Sequence, residues 1–154
     1  KNRQYLENVF VSEFSRSLRY KSPLSAVIID VDHFKSVNDT YGHQKGDEVL
    51  IEIGKVLNGI CRAHDTIARY GGEEFVIVLP ETNVKGAFPI AERIRNQVEN
   101  LSFSSDAKHW NVTISCGVAE IDFKKMKSKD DLLKVADQAL YKAKENGRNQ
   151  TIIG

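Results

Sequence analysis

The chain has 154 residues, the size of a single domain, and a chain this long can bury roughly 70% of its unfolded-state surface without staples. Lys and Arg number 22 against 21 Asp and Glu, a formal net charge of +1, which gives no electrostatic case for nucleic acid as a partner. Cys61 and Cys116 fall in no CxxC or Cys/His spacing and read as buried reduced thiols of a reducing compartment.

No apolar run is long enough to span a membrane and no secretory leader is visible. The chain opens at Lys1 without an initiator Met and reads as a piece of a longer protein, so a membrane or sensor segment upstream stays open. Leu6, Val9 or Phe10, Phe14 and Leu18 form one helical stripe, which ends before Pro23. "LSAVIID" is a short β-branched apolar run and predicts a buried strand. A short helix should follow, then a loop around Gly42 and Gly46. "DEVLIEIGKVLNGICRAHD" has helical spacing through Val49, Leu50, Ile53, Val56, Leu57 and Ile60.

"DTIARY" and "EEFVIVLP" flank Gly71-Gly72, the signal of a two-residue hairpin. "NVKGAFPIAERIRNQVENL" predicts a helix whose regular part starts near Pro89. "WNVTISCGVAEI" predicts a strand. "SKDDLLKVADQALYKAKENGRN" predicts a helix with Ser128 as N-cap and Gly147 just past its end. "QTIIG" supplies a last strand. Strands that both pair locally and alternate with helices predict an α+β fold, a mixed sheet covered by helices.

Four stretches carry groups that could do chemistry. Asp30 and Asp32 close the first strand, and side chains at i and i+2 share a face in extended chain. A hard divalent cation would satisfy two such like charges; alternatively Asp32 merely caps the next helix. Glu73 and Glu74 follow the Gly pair on opposite faces of a regular strand, so one of them can share the side of Asp30. Asn38, Asp39, His43 and Asp47 crowd one polar segment that could read a guanine edge or serve loop capping. Lys144 and Arg148, four apart, could grip phosphate from one helix face or complement the negative helix end.

Taken together and in order, "DVDHFKSVNDTYGHQKGD", "RAHDTIARYGGEEF", "VTISCGVA" and "ADQALYKAKENGRN" closely resemble the GGDEF family of diguanylate cyclases, in its GGEEF variant. The likeness runs from about Asn2 to Asn149. It implies a palm-type nucleotide cyclase fold with a central mixed sheet of about five strands. Residues 1–154 would be one GGDEF domain, the C-terminal fragment of a longer sensor protein, in the cytoplasm even if the full-length protein is membrane-anchored. The implied reaction condenses two GTP into cyclic di-GMP and two pyrophosphates, with one GTP held by each of two antiparallel domains of a homodimer.

The resemblance makes Asp30, Glu73 and the Val31 carbonyl the ligands of Mg²⁺ (or Mn²⁺), with Glu74 beside them. Glu73, or else Glu74, would promote deprotonation of the attacking 3′-OH. Asn38 and Asp47 match guanine-reading positions and His43 a nearby nucleotide contact. Gly71 and Gly72 would leave room for the nucleotide. Lys144 and Arg148 match triphosphate grips, with backbone amides around Phe34 and Lys35. "RAHD" matches the family's RxxD motif, so Arg62 and Asp65 would bind cyclic di-GMP as inhibitor, with Arg93 as a contact from a partner domain. The competing expectation is a catalytically silent receptor for GTP or cyclic di-GMP. Such domains usually lose an acid or a glycine of the signature, and this one keeps both. Only the tail of the family's opening DxLTxLxN-type segment is present, and because that upstream element normally pairs the domains, the resemblance leaves dimerisation and regulation open.

Overall fold

The computed structural model describes residues 1–154. The elements run α1 (Arg3–Tyr20), β1 (Leu24–Val31), α2 (Phe34–Tyr41), α3 (His43–Ile60), β2 (Thr66–Arg69), β3 (Glu74–Pro80), α4 (Val84–Glu99), β4 (Phe103–Ser105), β5 (Lys108–Trp110), β6 (Ile114–Glu120), α5 (Lys129–Glu145) and β7 (Thr151–Ile153). Five strands form one mixed sheet in the order β2-β3-β1-β6-β7. All its ladders are antiparallel except β6 with β7. β1 is the central strand and is buried along its whole length, which is why its sequence reads as continuously apolar rather than alternating.

Side chains alternate across β1. Val27, Ile29 and Val31 join Ile53, Leu57, Ala91 and Ile94 from α3 and α4 on one face. Ala26 and Ile28 join Leu6, Phe10, Phe14, Leu132, Ala136 and Leu140 from α1 and α5 on the other. The sheet is thus covered on both faces. Asp30 belongs by alternation to the α1/α5 face, at the open end of β1. No helix is long and apolar enough to cross a membrane.

Three boundaries differ from the sequence reading. Gly46 is not in a loop: α3 begins at His43, straight after Gly42, whose φ of 92° turns the chain between α2 and α3. α4 begins at Val84, ahead of Pro89, because the Asn83 side chain caps it by accepting from the Gly86 N–H at 3.0 Å. Pro89 is exposed, so water can take the Lys85 carbonyl that loses its helical donor. Trp110 is not the start of β6. It ends a separate hairpin, β4–β5, turned by Asp106 and Ala107 at φ 49° and 67°, and its ring stacks on Tyr41 at 4.2 Å.

Candidate active site

The end of β1 treats its two acids differently. Asp32 is saturated: it accepts from Ser115 Oγ at 2.6 Å, Thr113 Oγ1 at 2.7 Å and the Asn149 N–H at 3.0 Å. It does not cap α2, whose N-cap is His33. Asp30, 8% exposed, accepts from Lys144 Nζ through Oδ2, while its buried Oδ1 has no partner. A buried carboxylate oxygen without a donor is costly, and of the pair it is Asp30 that carries one.

The signature turn lies beside it. β3 pairs with β1 so that Glu74 stands directly opposite Asp30. Burial raises the Glu74 carboxyl above its ordinary range, the Asp30 and Asp137 charges raise it further, and Lys144 opposes them. Glu73 is half-buried at the turn, and its carbonyl accepts from the Val31 N–H at 3.2 Å. Gly71 and Gly72 do not adopt positive φ, so the two-residue hairpin expected from sequence is not the turn formed. The chain crosses from Arg69 to Glu74, with the Tyr70 N–H on the Glu74 carbonyl at 2.7 Å. A Cβ added to either glycine would meet nothing within 4 Å. Neither backbone geometry nor packing within the chain demands glycine there, and the turn borders open space.

On the far side of the turn α2 and α3 complete a groove of about 360 Å³, lined by Lys35, Asn38, His43, Asp47, Arg69, Gly72 and Glu73, with Phe34 and Leu50 as its floor. That volume is within the range of small-molecule sites, roughly 300–1,000 Å³. The first-turn amides of α2, at Phe34 and Lys35, have no acceptor within the helix. Seven of the residues singled out by sequence converge here: Phe34, Lys35, Asn38, His43, Asp47, Gly72 and Glu73. Asp30, Val31, Glu74 and Lys144 lie next door at the strand end. Arg148 does not share a helix face with Lys144, because α5 stops at Glu145.

Two contributors escaped the sequence reading. Arg69 reaches back over the turn to the Gly72 carbonyl at 2.9 Å; its place just before the glycines was the available clue. Gly46 matters through what it lacks, since a Cβ there would fall 1.9 Å from Asn38 Oδ1. Only glycine lets the Asn38 amide lie against α3.

The second predicted cluster is separate. Arg62 forks onto Asp65, with Nη2 to Oδ1 at 3.0 Å and Nε to Oδ2 at 3.2 Å, and also donates to Thr82 Oγ1 at 2.6 Å. The Asp65 side chain is fully buried while the Arg62 side chain is 44% exposed. The guanidinium thus uses an edge on Asp65 and keeps area open to a cavity of about 290 Å³ shared with Asn58, Ala63 and Ile67. Arg93 is exposed on α4 and makes no ion pair. Burial pushes both thiols up to about 12, so Cys61 and Cys116 stay protonated.

A metal fits the strand end better than the groove. Asp30 and Glu74 repel across the ladder, Asp30 Oδ1 lacks a partner, and the Val31 N–H bonds the Glu73 carbonyl, which brings the Glu73 backbone beside the strand end. No three acidic, His or Cys side chains already converge as a cage. Mg²⁺ suits such a place, since it keeps several waters and takes one or two carboxylates.

The mixed five-stranded sheet, covered on both faces and carrying acids at the end of its central strand, is a palm-type nucleotide cyclase fold. Residues 1–150 match the family described as diguanylate cyclase, GGDEF domain. Diguanylate cyclase A of Treponema denticola is 47% identical over 133 residues, 86% of this chain and 36% of that protein. The active GGEEF domain of a Vibrio cholerae diguanylate cyclase superposes with a TM-score of 0.93 at 40% identity, over 99% of this chain and 96% of that one. The GGDEF domain of DgcB from Caulobacter crescentus, in complex with c-di-GMP, gives 0.93 at 29% identity, over 99% and 90%. The chain belongs to the GGDEF family. It spans about a third of the length of the Treponema relative.

Proposed function

We propose that this domain is a diguanylate cyclase that condenses two GTP into cyclic di-GMP and two pyrophosphates. One observation carries the reading. The open space over Gly71 and Gly72 adjoins the groove where Asn38, Asp47 and Glu73 meet. A base and sugar can therefore lie between α2/α3 and the turn, with the phosphates toward Asp30.

Asn38 and Asp47 read the guanine edge, the carboxylate accepting from its N–H groups, and His43 contacts the nucleotide beside them. An adenine would leave that carboxylate unpaired, which such a site rejects strongly. The α2 amides at Phe34 and Lys35, with Lys144 and Arg148, hold the triphosphate. Lys144, bonded to Asp30 in this structure, either turns to phosphate or shares itself between the two. Asp30, Glu73 and the Val31 carbonyl hold Mg²⁺ or Mn²⁺, which when bound neutralises phosphate charge and acidifies the 3′-hydroxyl. Glu73, or else Glu74 opposite Asp30 across the ladder, orients that hydroxyl and receives its proton.

Each domain holds one GTP, so the reaction needs two copies facing in antiparallel fashion. An upstream sensor element of a longer, cytoplasm-facing protein brings them together. Arg62 and Asp65, aided by Arg93 of a partner domain, form a separate inhibitory site for cyclic di-GMP. The exposed area of the paired Arg62 side chain suits stacking on a guanine.

Product formation from GTP and Mg²⁺, measured against protein concentration, tests this. The rate should rise faster than linearly, and Glu73→Ala should abolish it. Absence of product from concentrated protein, held as a dimer by a fused coiled coil, overturns the catalytic reading and leaves a receptor.

A further inference from the structure

We propose that Asn149 and Asp32 are positioning residues that latch the segment after α5 and thereby aim Arg148 at the triphosphate. This rests on the reading of Arg148 as a phosphate grip.

The segment is conformationally costly. Past the end of α5, Gly147, Arg148 and Asn149 all take left-handed backbone, at φ 110°, 64° and 45°. Glycine does this freely, but an arginine does it only where its surroundings impose it. The surroundings here are dense. The Arg148 N–H closes the helix by donating to the Ala143 carbonyl at 2.9 Å. The Arg148 carbonyl accepts from Gln150 Nε2 at 3.0 Å. The Asn149 N–H donates to Asp32 at 3.0 Å, its Oδ1 accepts from Arg95 at 2.9 Å, and its Nδ2 donates to Glu99. Arg95 is itself held by Glu92 at 2.7 and 3.0 Å.

Asn149 is therefore gripped from two directions, by the strand end that carries Asp30 and by α4. The Arg148 guanidinium is exposed and makes no hydrogen bond or ion pair. Docking β7 would not need this arrangement. The Gln150 carbonyl already ties the chain to β6 through the Cys116 N–H at 2.9 Å. The bonds on either side of Arg148 fix its backbone, and with it the direction in which its Cα–Cβ bond leaves the chain. Asp32 sets that direction relative to Asp30 because both belong to the same strand end.

The test is calorimetric binding of GTP and of GMP, with Mg²⁺, to the intact chain. A latch acting through Arg148 affects the triphosphate and spares the base. Asn149→Ala should weaken GTP binding about tenfold, one charge-assisted contact's worth, while changing GMP binding by less than about twofold. Arg148→Ala should do the same, and the double variant should be no worse than Arg148→Ala alone. Asn149→Gly keeps the left-handed backbone and the N–H to Asp32, so it should give a smaller, still GTP-selective loss. It serves if the alanine variant fails to fold. Equal losses for GTP and GMP, or none, in the Asn149 variants while Arg148→Ala selectively weakens GTP, would overturn the latch alone. Unchanged GTP affinity in Arg148→Ala would overturn the phosphate-grip reading, and the latch with it.

Discussion

Asp30 and Glu74 stand opposite each other across the β1–β3 ladder, two carboxylates on one face with Lys144 bonded to only one of them. Burial first, then the charges of Asp30 and Asp137, holds the Glu74 carboxyl above its ordinary 4.5. The native state therefore keeps the Glu74 proton at pH values where the unfolded chain has lost it. Stability must fall as pH rises from about 4.5 through the raised value. Glu74→Gln removes this fall, so the variant should melt higher than the parent at neutral pH, and the gap should close toward pH 4. Thermal melts of both proteins across that range check it. A variant that melts lower at neutral pH contradicts the assignment.

Gly46→Ala separates binding from stability. The added Cβ would fall 1.9 Å from Asn38 Oδ1 and 3.2 Å from Phe34 Cζ. Asn38 is half-buried and can swing outward. The strain, about 1 kcal/mol, is offset by about 1 kcal/mol of better helix propensity. The melting temperature should hardly move, while GTP affinity falls about tenfold as the amide leaves the base edge. Calorimetry beside a thermal melt reads both.

Arg62→Ala strips Asp65 of its side-chain partner but leaves the Arg62 backbone N–H at 2.8 Å. Because the Arg62 side chain is 44% exposed, the loss sits near the lower end for a charged hydrogen bond, about 1–2 kcal/mol. That is roughly 2–8 °C in melting temperature for a chain of this size. The same variant should lose cyclic di-GMP binding and keep GTP binding. Loss of both would place the two ligands in one site.

Glu7 ties α1 to the signature turn. It accepts from the Tyr70 hydroxyl and from Lys129 of α5, while Arg3 lies 4.0 Å over the Tyr70 ring. Burial would raise the Glu7 carboxyl, but the Lys129 and Tyr70 hydrogen bonds outweigh it and hold it below its usual value. Its stabilisation is present above about pH 4.5 and lost as pH falls through the lowered value. Glu7→Gln should lower the melting temperature at pH 7 and make no difference at pH 3. In a double-mutant cycle with Tyr70→Phe, the two changes should couple by roughly 0.5–1.5 kcal/mol.

What was legible in the sequence was what local pattern decides. The Val27–Ile29 run marked β1, and Gly147 marked the end of α5. The β4–β5 hairpin was not legible, since its strands are three residues each and its turn is Asp106-Ala107 rather than Asn-Gly. Among the site residues, the groove from Lys35 to Asp47 could be read because its members are close in sequence. The division of labour between Asp30 and Asp32 could not. The donors that saturate Asp32 lie 81 residues or more away, and nothing near position 32 announces them. Gly46 was hidden for a related reason: an absent side chain signals nothing until Asn38 is placed against it.

The central position of β1 also sets the order in which the molecule can be made. Its neighbours are not the next strands in the chain: Leu24 pairs with Pro80, and Ser25 with Glu120. Every ladder that holds Asp30 in place closes a long loop, and such contacts form late and slowly. During synthesis α1, β1 and β3 can meet while the last third of the chain is still being made. Asp32 must wait for Ser115 and then for Asn149. The acids at the strand end are therefore among the last groups to find their partners, and a nascent chain stalled before residue 115 has most of a sheet but no finished site.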